Sequence, residues 1–169
     1  MGEIVGEDKV IELAKFQNRP ARILYDFISQ PSREQWAEIK DDYVAARGKC
    51  YDGMTLDLLR RKQEQRLVGV YQVMAVFSDQ TVERWGSFAL ELLEGDGEEM
   101  APRITFVYLR LRPGTITQGI VDTIINVAQQ IGRRVGASHI LVQGRRGWEG
   151  LLAKHNAREI TRIWLVGVD

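Results

Sequence analysis

A single cysteine, Cys50, stands in 169 residues. No disulfide can close within such a chain, and a reducing compartment suits it. Histidine is scarce as well. His139 and His155 are the two present, and with one cysteine they cannot assemble the Cys/His sets of a zinc site, so no metal is expected. No apolar run approaches the roughly 20 residues of a membrane-spanning helix. The first residues, MGEIVGEDKVIELAKF, carry acids where a secretory leader needs an apolar stretch. The expectation is a cytoplasmic protein with no membrane partner. Net charge is zero, which removes any overall pull toward nucleic acid and disfavours it as a partner. No Gly-Lys-Ser/Thr follows a glycine-rich turn, and no nucleophile elbow is present.

What is there is unevenly charged. Residues 101–169 hold ten Lys/Arg against four Asp/Glu, and the preceding ELLEGDGEE holds five acids and no base. This asymmetry fits an anionic ligand, an acidic protein surface, or simply a solvated face. The length and the 44% hydrophobic content fit one globular unit.

The first third reads as helical. EDKVIELAKFQN puts Val10, Leu13, Ala14 and Gln17 on one stripe. Pro20 opens a second short helix with Ile23, Leu24, Phe27 and Ile28 on its apolar face. Ser32 and Gln35 form a capping box before Trp36, Ile39, Tyr43 and Val44, and Gly48 suits the helix end. Thr55 caps a further helix, LDLLRRKQEQR, whose basic end favours the negative pole of its dipole. From residue 67 the pattern changes to LVGVYQVMAVF, VERWGSFALELL and RITFVYLRLR, three strands with short connections. The first and third are apolar on both parities, as in strands covered on both faces. A helix over residues 117–135, capped by Gly136, a strand SHILVQ, a helix GWEGLLAKHN and a last strand EITRIWLVGV follow. The loop EGDGEEMAP is the expected flexible segment. The prediction is a mixed α/β (α+β) layered domain with a mostly antiparallel sheet, residues 67–169 in the order β-β-β-α-β-α-β, preceded by an N-terminal helical segment at residues 1–66.

That order, with the phrases RPGTITQGIVDTII and GASHILVQGRRGWEGLLAKHNAREITRIWLV, resembles the GNAT superfamily of acyl-CoA-dependent N-acetyltransferases. The resemblance implies a cofactor loop, Gln/Arg-x-x-Gly-x-Gly/Ala, at the start of a helix, where free amides and the dipole meet a pyrophosphate. Here its positions are Ile116, Thr117, Gln118, Gly119, Ile120 and Val121. Gly119 matches. Ile116 replaces Gln or Arg. Val121 replaces Gly or Ala, where its branched side chain is expected to crowd the pyrophosphate, with Gln118 or Arg112 as substitute donors. An ordinary capped helix start is the alternative.

The family's acid tyrosine position falls on Leu152, which has no proton to give. Glu91, Tyr108 and His155 are the candidate acid–base residues. Arg145, Arg146 and Trp148, in GRRGW, suit a phosphate clamp, a base stack or a protein contact.

Three readings are therefore carried forward. One is a GNAT-fold binding or structural component without catalysis or cofactor. By resemblance it is phage-encoded and virion- or assembly-associated, with protein partners such as phage structural proteins or further copies of itself, and Trp36, Tyr43 and Tyr51 are its N-terminal anchors. Another is an active acetyl-CoA-dependent N-acetyltransferase with an atypical loop. Between them, a V-shaped opening between the third and fourth strands, RITFVYLRLR and SHILVQ, favours the enzyme and a closed, side-chain-filled one opposes it. A nucleic-acid-contacting module that uses the C-terminal basic bias is the third reading.

Overall fold

The computed structural model describes residues 9–16, 19–47, 55–95, 102–142 and 148–155. The elements run β1 (Lys9–Phe16), β2 (Arg19–Ile28), α1 (Arg33–Arg47), α2 (Leu56–Glu64), β3 (Val68–Phe77), β4 (Val82–Leu93), β5 (Arg103–Leu111), α3 (Gln118–Val135), β6 (His139–Leu141) and α4 (Trp148–Leu152), which ends in a 3-10 turn (Ala153–His155). The strands form one sheet in the order β1-β2-β3-β4-β5-β6. The first five pair antiparallel and β6 joins β5 in parallel. The mixed, mostly antiparallel sheet with covering helices is the architecture expected.

The N-terminal segment departs from its expected helices. Residues 9–16 and 19–28 are strands, and β2 pairs with β3 from Ala21↔Phe77 to Ile28↔Val70. The apolar residues of RPARILYDFI satisfy two periods at once. Ala21, Ile23 and Tyr25 alternate and are buried at 1%, 0% and 1% exposure, and this period of two is the one that a ladder of cross-strand hydrogen bonds rewards. Pro20 sits at the strand's beginning, where a missing N–H is tolerated. Trp36 and Tyr43 are on α1, while Tyr51 and Gly48 lie outside the described residues.

The helices behave as their local signals dictate. Ser32 N donates to Gln35 Oε1 at 2.9 Å and Gln35 N to Ser32 Oγ at 3.1 Å, the reciprocal box that starts α1. Thr55 Oγ1 accepts from Leu58 N at 3.2 Å to start α2. Gly136 ends α3 in the left-handed region at φ 72°.

Two cores flank the sheet. One lies under α3, where Tyr71, Phe88, Leu90, Ile104 and Phe106 meet Ile120, Ile124 and Ala128. The other lies under α1 and α2, where Val68, Val70, Ala89, Val107 and Tyr108 meet Ile39, Tyr43 and Leu59. Residues of β3 and β5 enter both, which accounts for their apolar character on both parities. Val44, assigned to the apolar stripe of α1, is 57% exposed. The last strand, residues 159–168, falls outside the described residues.

Two bulges shape the end of the sheet that leads to α3. The β3–β4 register skips Trp85 and the β4–β5 register skips Val107. Each extra residue bends its strand. Gly86 follows the first bulge at φ 148°, and a Cβ there would stand 1.9 Å from the Arg110 carbonyl oxygen, so no other residue fits.

Candidate functional site

β6 pairs with β5 through Arg103↔His139, Ile104↔Ile140 and Thr105↔Leu141, and there the ladder ends. β5 continues to Leu111. From Phe106 onward β5 has no ladder partner on its β6 side among the described residues.

β5 leads into the loop before α3. Thr115 N and Thr115 Oγ1 both donate to Arg112 O, at 3.1 and 2.6 Å, around Pro113 and Gly114 (φ 85°). Pro followed by a positive-φ Gly is the residue pattern of a type II turn. Arg112 N donates to Trp85 O at 2.6 Å, pinning the turn to the first bulge. Thr117 caps α3 by accepting from Ile120 N at 3.3 Å, and Tyr25 OH donates to Ile120 O at 3.4 Å. The first turn of α3 holds no acidic residue, so its positive dipole end is uncompensated by its own side chains.

The six loop positions separate by direction. Ile116 is 46% exposed, Thr117 is exposed, and Gln118 and Gly119 are half-buried, while Ile120 and Val121 are buried at 1% each in the core under α3. The side chain expected to crowd a pyrophosphate, that of Val121, is turned into the core. The substitute donors are already engaged. Gln118 Nε2 donates both hydrogens, to Asp122 Oδ1 at 2.6 Å and to Leu151 O at 2.8 Å. Arg112 Nη1 donates to Glu83 Oε2 at 3.3 Å.

The three acid–base candidates do not converge. Glu91 is buried under α2, with one carboxylate oxygen bonded by the Lys62 ammonium. Tyr108 is buried at 4% exposure, and its hydroxyl lies 2.7 Å from Ser87 Oγ, on the β4 side of β5 rather than the open side. Ser87 spends its own hydrogen on Asp42 Oδ2 at 2.6 Å, so Tyr108 is the donor in its pair. Asp42 also accepts from Arg84 Nη2 at 2.5 Å, and Arg84 Nε lies 3.1 Å from Glu38 Oε2. Burial pushes the Tyr108 phenol well above its ordinary range, so it stays protonated at neutral pH. His155 Nε2 lies 2.7 Å from Asp122 Oδ1, which together with Gln118 ties the end of α4 to the first turns of α3. The Gln118 and His155 hydrogen bonds hold the Asp122 carboxyl below its usual value.

Arg145 and Arg146 lie outside the described residues, and Trp148 is the first residue of α4. Two residues not singled out in the sequence belong to the site. Arg110 is half-buried on β5 beyond the end of its ladder with β6, opposite Ser87, with no ion pair among the described residues. Strand parity from Ser87 would have found it. Lys62, read in the sequence as a dipole partner, is the cation on Glu91.

No protein-family profile matches this sequence, and no curated protein matches it significantly. Solved structures do. A Trypanosoma brucei acetyltransferase shares 10% identity at a TM-score of 0.60, with 86% of this chain and 99% of that one covered. An aminoglycoside acetyltransferase from an uncultured soil metagenomic sample, in complex with sisomicin, shares 15% at 0.60, covering 87% and 97%. A predicted acetyltransferase from Clostridium acetobutylicum, with acetyl-CoA, shares 9% at 0.58, covering 86% and 96%.

The fold is that of the GNAT acetyltransferases. Residues 67–169 make up less than two thirds of the chain, so these matches reach well into residues 1–66. Within residues 1–66, β2 pairs directly with β3 and so lies in the same sheet as the strands that follow.

Proposed function

We propose that this chain binds an acyl-coenzyme A in the opening between β5 and β6 and acts as an acyl-CoA-dependent N-acetyltransferase with an atypical pyrophosphate loop. The observation that carries this is the end of the β5–β6 ladder at Thr105↔Leu141, while β5 itself runs on to Leu111 directly before the α3 N-terminus. The residues fit such a ligand. Beyond the end of that ladder an extended amide-bearing chain can lie along β5. The amides of Gln118 and Gly119 begin α3, where an anion is favoured. Arg110 supplies a cation beside the opening, and the inward turn of Val121 leaves the helix start uncrowded. The bound group would supply the activated acyl thioester. The chain's own contribution is then orientation of that ligand and of the acceptor, and such positioning is by itself a large source of rate.

A second reading, a phage-encoded binding or assembly component that keeps the fold without its chemistry, draws on the engagement of Glu91, Tyr108 and His155 in internal contacts. Titration of the full chain with acetyl-CoA by calorimetry separates the two. Saturable binding with a stoichiometry of one is expected. Absence of binding overturns the cofactor reading and favours the second.

A further inference from the structure

Arg110 is half-buried, yet its guanidinium has no ion pair or hydrogen bond among the described residues. The arginines near it are engaged: Arg84 holds Asp42 and Glu38, and Arg112 holds Glu83. A charge drawn out of water without a partner is costly, and a bound anion would remove that cost. The backbone fixes the direction. Leu109 packs against the core under α3 and Leu111 lies within it, so Arg110, between them, is turned to the α1 face. Ser87, its partner on β4, is on that same face, bonded to Asp42 of α1. The strand is held firmly here, because the Arg110 carbonyl lies against Gly86 and Arg112 N is tied to Trp85 O. Tyr108 and Arg110 both belong to the length of β5 beyond its ladder with β6. Arg110 therefore stands on the stretch assigned above to the acyl-CoA, but on the face away from α3, whose first turn suits the phosphates.

The surrounding charges narrow the choice of anion. Asp42 bonds Ser87, and Glu38 precedes Asp42 by one helical turn on α1. A dianion such as a phosphate monoester would face these carboxylates with one unpaired guanidinium to offset it. A polycation would face that guanidinium. A single carboxylate matches it in charge and in shape, since the planar fork gives two N–H groups to two oxygens.

We propose that Arg110 binds the carboxylate of the acceptor, and that the acceptor is a free amino acid, which carries that group beside the amine it offers. The inference rests on the reading that the chain transfers an acyl group from coenzyme A. In the transfer the neutral amine nitrogen bonds the acyl carbon, the C–S bond breaks, and one amine proton ends on the sulfur. The carboxylate is unchanged and stays on Arg110.

The test is steady-state acetyl transfer from acetyl-CoA by the full chain to a panel of free L-amino acids and the matching C-terminal amides, with phosphoethanolamine and spermidine as the dianionic and polycationic amines. The preferred acid should exceed its amide in kcat/KM by at least about tenfold, since a charge-assisted contact is lost in the amide. Arg110→Gln should raise KM for the acids by about that factor and so abolish their advantage. Arg110→Lys, which keeps the charge without the fork, should recover part of it. Amides used as well as acids, either of the other amines preferred, equal losses on acid and amide in Arg110→Gln, a loss in that variant that falls on acetyl-CoA affinity instead, or acetyl-CoA bound with no panel member acetylated, each overturns the proposal. No acetyl-CoA binding at all overturns the cofactor reading beneath it. The Arg110 contact is then read by calorimetry of the acids and amides alone, where acid-selective binding that Arg110→Gln removes sustains it and the lack of such binding overturns it.

Discussion

Ser87 stands between Tyr108 and Asp42, taking the phenol's hydrogen at 2.7 Å and giving its own to the carboxylate at 2.6 Å. The chain of donors runs from β5 through β4 to α1, so one hydroxyl fixes the helix on the sheet. Ser87→Ala leaves both Tyr108 and Asp42 short of a partner in a buried place, and each orphaned group costs about 1–3 kcal/mol. Tyr108→Phe removes only the first donor and leaves Ser87 on Asp42, so a smaller loss of about 0.5–1.5 kcal/mol is expected. Urea unfolding of the two variants should rank them in that order. The reverse order would mean that the phenol, not the hydroxyl, organises the network.

Gly86 and Gly136 both have positive φ but differ in what surrounds them. A Cβ at Gly86 meets the Arg110 carbonyl oxygen at 1.9 Å, while one at Gly136 meets nothing within 4 Å. Gly136→Ala should therefore lose only the left-handed penalty, about 1 kcal/mol. Gly86→Ala must also push β4 and β5 apart, and a loss above about 3 kcal/mol is expected. Melting temperatures would show it, and equal losses at the two sites would contradict the bulge geometry.

Asp122 gives the acid response a direction. Its carboxyl is held below its unfolded value by Gln118 and His155. The stability this contributes is present above the unfolded pKa, about 3.9, and is lost as pH falls through the folded value. Amide exchange in α4 should accelerate as the pH is lowered below about 4. In Asp122→Asn the same acid step should be missing. An unchanged acid step in that variant would place the titrating group elsewhere.

The start of α3 can be tuned in both directions. Gly119→Asp puts a carboxylate in the first turn, which suits the helix dipole and so should spare the fold, while it repels an anionic ligand. Acetyl-CoA affinity should fall by at least about tenfold, roughly 1.4 kcal/mol. Ile116→Arg adds a cation at an exposed position and should raise affinity by a few-fold, with a steeper salt dependence. Calorimetry at two ionic strengths measures both. Identical affinities in all three proteins would remove the helix start from the binding site.

Local chemistry made much of the fold legible. The Ser32–Gln35 box, the Thr55 and Thr117 caps and the αL Gly136 are each set by residues within a few positions of one another, and the strands at residues 68–77, 82–93 and 103–111 carry β-branched and aromatic side chains throughout. The N-terminal strands were not legible, because Ile23, Leu24, Phe27 and Ile28 fit a helical stripe as well as Ala21, Ile23 and Tyr25 fit a strand. The tie is broken by β3, far along the chain, which completes the ladder of β2. The loop at residues 112–121 was found from Pro113, Gly119 and the helix that follows. The inward turn of Val121, the engagement of Gln118 and the capture of Glu91 by Lys62 were not, since each depends on a neighbour 29 to 33 residues away or on the opposite core.

The sequence alone determined where helices start and stop, the central strands, and the position of a glycine-bearing loop ahead of an amphipathic helix, since capping, turn geometry and side-chain period act over a few residues. Tertiary structure decided that residues 9–16 and 19–28 complete the sheet, that the β5–β6 ladder ends at Thr105↔Leu141, and that every acid–base candidate has an internal partner. Those outcomes depend on cross-strand hydrogen bonds and buried charges, whose partners are brought together only when the whole sheet has formed.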